Sequence, residues 1–345
     1  MAYTTINKST DYFNTKLYTG NGSASDRTIT GVGFQPDFLW NKSRSNTYNH
    51  YIFDVLRGTN MISSNTTQGQ EDKSPQFSAF TSDGFTIRND AGSLAINASG
   101  VTFANWCWKA NGAGSANTDG TINSTVSANT TAGFSIVKWT GSGANATVGH
   151  GLGVAPKMII LKNTSEVYGW QVYHASLGNT KYVSLNSTDA QATSSQSWNN
   201  TSPTSTVFSV GASDSNNKSG NTIIAYCFAE KAGYSKFGSY TGNGNADGSF
   251  IYTGFKPAFV IYKNTTQTDS WFIHDNKRQG YNPENELLFA DLSNAESTVN
   301  RLDLFSNGFK ATDSDKGVNA NGNNYIYMAI GQSIVGSNNV PATAR

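Results

Sequence analysis

The chain has 345 residues, a formal net charge of +1 and only 14% charged residues, so no strong field exists to draw in nucleic acid, anionic lipid or an acidic substrate. Gly is abundant at 34 residues and aromatics reach 12%, with Asn, Ser and Thr filling most other positions. That composition suits short β-branched and aromatic strands joined by turns, and it excludes long amphipathic helices, which need Ala, Leu, Glu and Lys together.

No run approaches the ~18 apolar residues that span a bilayer. Residues 1–8 lack the charged-then-apolar layout of a signal peptide, so the expectation is a protein without a membrane span, made without a secretion signal of its own.

In chain order, residues 1–11 read as an N-terminal arm, with Tyr3, Ile6 and Tyr12 (at the start of the first unit) as candidate attachment residues. A first unit over 12–110 opens with a strand ending in Tyr18-Thr19-Gly20. It continues through Gly33, Pro36, the apolar run Phe38-Leu39-Trp40 and Lys42. An aromatic strand at 51–54, a Gly84-Phe85 strand and a closing apolar strand at 102–108 follow. Residues 111–132, almost all Ala, Asn, Gly, Ser and Thr, read as a linker or edge segment of poor packing ability.

A second unit over 133–230 repeats the order with Trp139-Thr140-Gly141, Gly153, Pro156, the run Met158-Ile159-Ile160-Leu161 and Lys162. A third over 231–332 has Tyr240-Thr241-Gly242, Gly254, Pro257, Phe259-Val260-Ile261-Tyr262 and Lys263. Lys falls six positions after Pro each time, while Pro36 and Pro156 are 120 residues apart and Pro156 and Pro257 are 101 apart. Self-similarity held in phase means that one folded unit was copied. The predicted fold is all-β: three tandem, related antiparallel β-sandwich domains of jelly-roll type. The tight joint at 230–233 predicts that units two and three pack more rigidly than units one and two. Residues 333–345 form a tail with no core signal.

The two cysteines, Cys107 and Cys227, are 120 residues apart and occupy matching places in the closing strands. In unit three the matching residue is Met328 at the 101-residue offset, or Ala329 if the register slips by one. Equivalent sites in different domains do not reach each other for a bridge, and an apolar residue replaces Cys in the third copy, so both read as buried thiols.

The chain offers no Ser-His-Asp or Cys-His order in a recognisable setting and no Gly-x-Ser-x-Gly elbow. Carboxylate pairs such as Asp269 with Asp275, or Glu284 with Glu286, carry no distinguishing signal for glycoside hydrolysis, which needs ~5–10 Å between the two groups. Asp313-Ser314-Asp315 and Ser213-Asp214-Ser215 space oxygen donors as calcium loops do but lack the full loop, and they read as turns. No catalytic residue, metal or cofactor is therefore assigned.

The second aromatic strand offers the better lead. Trp170, Tyr173 and His174 recur as Trp271, His274 and Asp275. Strand alternation sends Trp and the residue three positions on to opposite faces, so one set belongs to the core and the other is a candidate glycan-binding face. Scaffold is what repeats. The arm, the 111–132 joint, residues 276–300 and the tail are where attachment and binding are to be sought.

Several stretches resemble a family of tailed-bacteriophage proteins common in aquatic phage genomes. They include Asp11-Tyr12-Phe13-Asn14-Thr15, Gly33-Phe34-Gln35-Pro36-Asp37, Trp106-Cys107-Trp108-Lys109-Ala110 and Gly233-Tyr234-Ser235-Lys236-Phe237-Gly238-Ser239-Tyr240. The family's closing Ala-Phe-Ala-Glu is replaced here by Ala329-Ile330-Gly331-Gln332. The resemblance implies a non-enzymatic virion structural protein, assembled in the host cytoplasm. The leading expectation is a tail-associated fibre or receptor-binding component that touches host surface glycan. The rivals are a capsid decoration or head-fibre protein, and a host polysaccharide depolymerase. It implies other virion proteins as partners and a homo-oligomer, a trimer being the usual form of tail fibres, with no nucleic acid bound.

Overall fold

Four strands form the main sheet of every unit in the computed structural model, which describes residues 4–88 and 95–333. The opening strands are Phe13–Thr19, Phe134–Thr140 and Ser235–Thr241, and the apolar-run strands are Phe38–Ser43, Met158–Asn163 and Pro257–Asn264. The partner strands are Tyr51–Asp54, Gln171–His174 and Trp271–Asp275, and the closing strands are Thr102–Trp108, Thr222–Phe228 and Asn324–Gly331. The order across the sheet is opening, closing, run, partner in all three, and every pairing is antiparallel. The protein is all-β, and the α-helices among the described residues are two short turns, Ser195–Trp198 and Asp214–Asn217.

The repeated glycines are dictated by the backbone. Gly33, Gly153 and Gly254 turn the chain into the run strand at φ of 93°, 71° and 85°, a left-handed conformation that costs a residue with a Cβ ~1–2 kcal/mol. Gly20, Gly141 and Gly242 donate their N–H to the carbonyls of Val101, Asn221 and Asn323. A Cβ there would lie 2.0, 2.1 and 2.3 Å from the carbonyl oxygens of Ala98, Lys218 and Ala320. Three buried asparagines, Asn97, Asn217 and Asn319, fasten the loop that follows. Each side-chain oxygen accepts from the backbone N–H of Asn21, Ser142 or Asn243, at 3.0–3.2 Å.

Register settles the cysteine site. Leu39 faces Cys107, Ile159 faces Cys227 and Val260 faces Ala329, so Ala329 stands in the cysteine position and Met328 matches Trp106 and Tyr226. Both thiols are free and buried, in the outer cores of different units, and burial pushes both up.

Each main sheet is covered on both faces. One face joins a core common to all three units, where Phe38 meets Tyr226 (centroids 4.5 Å apart), Phe13 meets Phe259 (5.6 Å) and Trp108 meets Phe228 (6.1 Å). The opposite face packs on an outer layer belonging to its own unit. In unit one this is a sheet of Arg27–Thr30, Gly84–Ile87 and Phe77–Thr81. In unit two, Ala146–Gly149 pairs with Val207–Val210. In unit three the sheet runs on from Trp271–Asp275 through Glu284–Phe289, Ser297–Phe305 and Gly308–Ala311 to Phe250–Tyr252. Phe85, Phe208 and Phe309 are the matching inward residues of these layers.

The 111–132 segment is an edge rather than a free linker. Ser115–Asn117 and Ser124–Asn129 extend the second sheet beyond its opening strand. Units one and two meet through the same shared core as units two and three.

Candidate functional site

The predicted aromatic face does not reach solvent. Trp170 and Trp271 are 0% and 1% exposed in the shared core, Tyr173 sits in the outer core of unit two, and His174, His274 and Asp275 are fully buried. The alternation is as expected, but both sides of the sheet are covered, so neither set can stack on a sugar. Ile6 is also buried in the shared core, and Tyr12 is partly buried with its ring edge-on to Tyr234. Tyr3 lies outside the described residues.

These side chains instead fasten the units to one another in a ring. Trp170 Nε1 donates to Ser63 O of unit one (2.9 Å), and Trp271 Nε1 donates to Ser184 O of unit two (2.8 Å). His50 holds the same place in unit one, and its Nε2 donates to Phe289 O of unit three (2.7 Å). Trp40 Nε1 donates to His50 Nδ1 (2.7 Å), which fixes the proton on Nε2. The repeated lysines follow the same path. Lys162 Nζ donates to Thr67 O (3.0 Å), Lys263 Nζ to Thr188 O (3.1 Å) and Lys42 Nζ to Ser293 O (3.1 Å). Burial lowers these ammonium groups to about 7 in Lys162 and about 8 in Lys42 and Lys263.

A second ring joins closing strands to partner strands. Tyr226 Oη donates to Asp54 Oδ2 (2.8 Å), and Trp106 Nε1 donates to Asp275 Oδ2 (2.9 Å). Each acid is also held by the arginine three residues on, Arg57 at 2.6 Å and Arg278 at 2.7 Å. At the third junction Met328 has no donor to offer. There His174 replaces the acid, Leu177 replaces the arginine, and His174 Nε2 donates to Tyr327 O (3.1 Å). Burial lowers His174 to about 4 and His50 to about 3, so both are neutral donors at ordinary pH.

The carboxylates considered for hydrolysis are placed differently. Asp275 is fully buried and held by Arg278 and Trp106. Glu286 and Glu296 are hydrogen-bonded to each other, which raises Glu286. Burial works to raise Glu296 as well, but hydrogen bonds from Arg44 and the charge of Arg278 outweigh it and hold Glu296 low. Asp313 and Asp315 are turn residues whose carboxylates pair with Arg301. Among the described residues, no group of three or more His, Cys, Asp or Glu is arranged to hold a metal ion.

Exposed aromatics gather on the outer layer of unit three, a feature that alternation in the Trp strand could not reveal. Phe305, Gly308 and Tyr252 are direct neighbours on three adjacent strands, with Gly308 between the two aromatics. The Phe250 ring lies over Gly308, where a Cβ would meet its Cζ at 2.9 Å, and meets Phe305 edge-on at 6.0 Å. Tyr252 is 63% exposed and Phe250 48%, so the rings form a platform in solvent.

Beside the platform lies a cleft of about 360 Å³ lined by Lys256, Asn276, Gly280, Tyr281, Asn282, Glu284 and Leu304. Asn282 clamps its wall by bonding both the N–H and the carbonyl of Leu304 at 2.9 Å. Glu284 is 1% exposed, and its Oε1 has no hydrogen-bond partner among the described residues; nor does Asn276 Oδ1. Burial, then the nearby charge of Asp275, raises Glu284 to about 8, so its carboxyl is mostly protonated at neutral pH. A larger groove of about 490 Å³ between units one and two is different in kind: Lys138 Nζ crosses it to Leu56 O (2.7 Å), and the buried side-chain polar atoms that line it are partnered.

The fold and these surfaces define an all-β protein of repeated antiparallel sheets with an aromatic outer face and, among the described residues, a cleft beside it lined by unpartnered acceptors. The chain belongs to the family described as Domain of unknown function (DUF7483), whose model matches residues 8–333. No curated protein and no solved structure matches it.

Proposed function

We propose that the protein is a non-enzymatic structural component of a tailed-bacteriophage particle, placed at the tail and contacting host surface glycan. The particle assignment rests on the motif resemblance, including Gly33-Phe34-Gln35-Pro36-Asp37 and Trp106-Cys107-Trp108-Lys109-Ala110. The observation that carries the glycan contact is the platform of Phe250, Tyr252 and Phe305. Aromatic faces are suited to stack on sugar rings, and exposed rings packed on one another are a costly surface for a protein to present without use. The two rings of inter-unit bonds support a scaffold role, since they commit the buried polar side chains of the repeat to holding the body rigid. Among the described residues no helix is long and apolar enough to cross a membrane.

Two measurements test this reading. A quantified gel of purified particles should show the protein at a few to tens of copies, as trimers of a tail part would give. Hundreds of copies would move it to the head, and absence from particles would end the assignment. For the contact itself, the double variant Tyr252→Ala/Phe305→Ala should fold as the wild type does but no longer adsorb to host cells. Unchanged adsorption would remove the platform from the contact.

A further inference from the structure

We infer that the cleft beside Glu284 is a seat for one ring of a neutral, hydroxyl-rich ligand, a single saccharide residue. This deepens the glycan reading and takes its source of ligand from it. The cleft is lined by two residues with a buried acceptor that has no hydrogen-bond partner among the described residues, Glu284 Oε1 and Asn276 Oδ1; Asn276 also borders a second cleft, beside Thr15. Buried polar atoms are nearly always paired, so two orphans lining one cleft mark a place where donors arrive from outside the chain. Tyr281 lines the same cleft and is 70% exposed, giving a ring face over which a sugar can stack.

Charge narrows the ligand further. A cation would meet the Lys256 ammonium on the lining and the Arg278 guanidinium near Glu284. An anion would meet the negative charges of Asp275 and Glu296 near Glu284. An apolar ligand would leave both acceptors buried and unpaired. Hydroxyl groups answer both acceptors without adding charge, and a protonated Glu284 carboxyl can accept at one oxygen while donating at the other. The volume, about 360 Å³, lies at the small end of the ~300–1,000 Å³ typical of small-molecule sites, which suits one ring better than a chain. Apart from Lys256, the lining falls within residues 276–300 and just beyond.

The test is saturation-transfer NMR on the full-length protein with methyl glycosides of glucose, galactose, mannose and N-acetylglucosamine at millimolar concentration. At least one should receive saturation. Tyr281→Ala should weaken that binding tenfold or more, and Asn276→Leu should do the same. Val167→Ala, at an exposed residue of unit two outside the cleft lining, should leave it unchanged. Thermal unfolding of each variant checks the fold. Tyr281 is an exposed loop residue, so its variant keeps the experiment decisive even if Asn276→Leu fails to fold. No transfer to any of the four glycosides overturns the seat. Transfer that survives Tyr281→Ala but is lost in Tyr252→Ala also overturns it and gives the sugar to the platform, leaving the glycan reading in place. Particle location is decided separately by the virion gel, so loss of that assignment and loss of the seat are distinguishable.

Discussion

The position eight residues after each repeated lysine shows how one task is kept while the residue changes. It is His50, Trp170 and Trp271 in turn, and in each case a ring N–H crosses to a carbonyl of a neighbouring unit. Trp271→Phe keeps most of the volume but strands Ser184 O, so denaturant unfolding should show a loss of about 1–3 kcal/mol. Trp271→Ala adds a cavity in the shared core and should cost about 3–5 kcal/mol, with loss of fold rather than of a binding surface as its signature. Glu284 gives the pH dependence its sign. Its folded-state value, about 8, lies above the ordinary 4.5, so the native state holds this proton more tightly than the unfolded chain does. The stabilisation is complete below about pH 4.5 and is lost as pH rises towards 8. Glu284→Gln removes that loss, so its stability relative to wild type should improve steadily from pH 5 to pH 8 in urea unfolding. The buried histidines act in the opposite direction. His50 and His174 are held at about 3 and 4, below the ordinary 6.5, so their contribution is present above pH 6.5 and lost as pH falls through those values.

At the scale of the strand, the acid, the arginine and the closing-strand donor change together. Asp54 comes with Arg57 and Tyr226, and Asp275 comes with Arg278 and Trp106. Where Met328 replaces the donor, both charged residues are gone. A buried ion pair is tolerable only when complete, so Arg57→Leu alone leaves Asp54 as a buried carboxylate and should cost about 3–5 kcal/mol. Asp54→His/Arg57→Leu, which copies the pair His174 and Leu177, should cost clearly less than the sum of the single changes, and a double-mutant cycle in guanidinium measures the difference. Much at this scale was legible in the sequence. The phase of Thr-Gly, Gly-x-x-Pro and Lys marked the four main strands of each unit, and the cysteines were readable as core because a third copy lacks one. What the chain could not declare was the second cover. Alternation shows that Trp170 and Tyr173 point to opposite faces, but it is blind to a sheet of another unit arriving on the face assumed to be wet. The loop-fastening asparagines did carry a signal, each ten residues before Cys107, Cys227 or Ala329, yet they were lost among the many other asparagines of those loops. The Phe250, Tyr252 and Phe305 platform had no such signal, since it is assembled from strands that are neighbours only after folding.

For the molecule as a whole, the shared core means that no unit owns all of the surface that stabilises it. A fragment of residues 133–230 would expose Phe134, Ile136, Ile160, Trp170 and Tyr226 to water. It should therefore lack a cooperative thermal transition, whereas the full chain should unfold in a single one by calorimetry. The first ring of bonds runs from one to three, from three to two and from two to one, and the two ends of the described body come together as well. Ser9 Oγ lies 3.4 Å from Ser333 Oγ, and Thr10 Oγ1 lies 3.3 Å from it. The order in which the units are written is thus a matter of synthesis rather than of architecture. A circular permutant that begins at residue 133, with residue 345 joined to residue 1 and the chain opened after 132, keeps every strand pairing of the three main sheets, and it should melt within a few degrees of the parent.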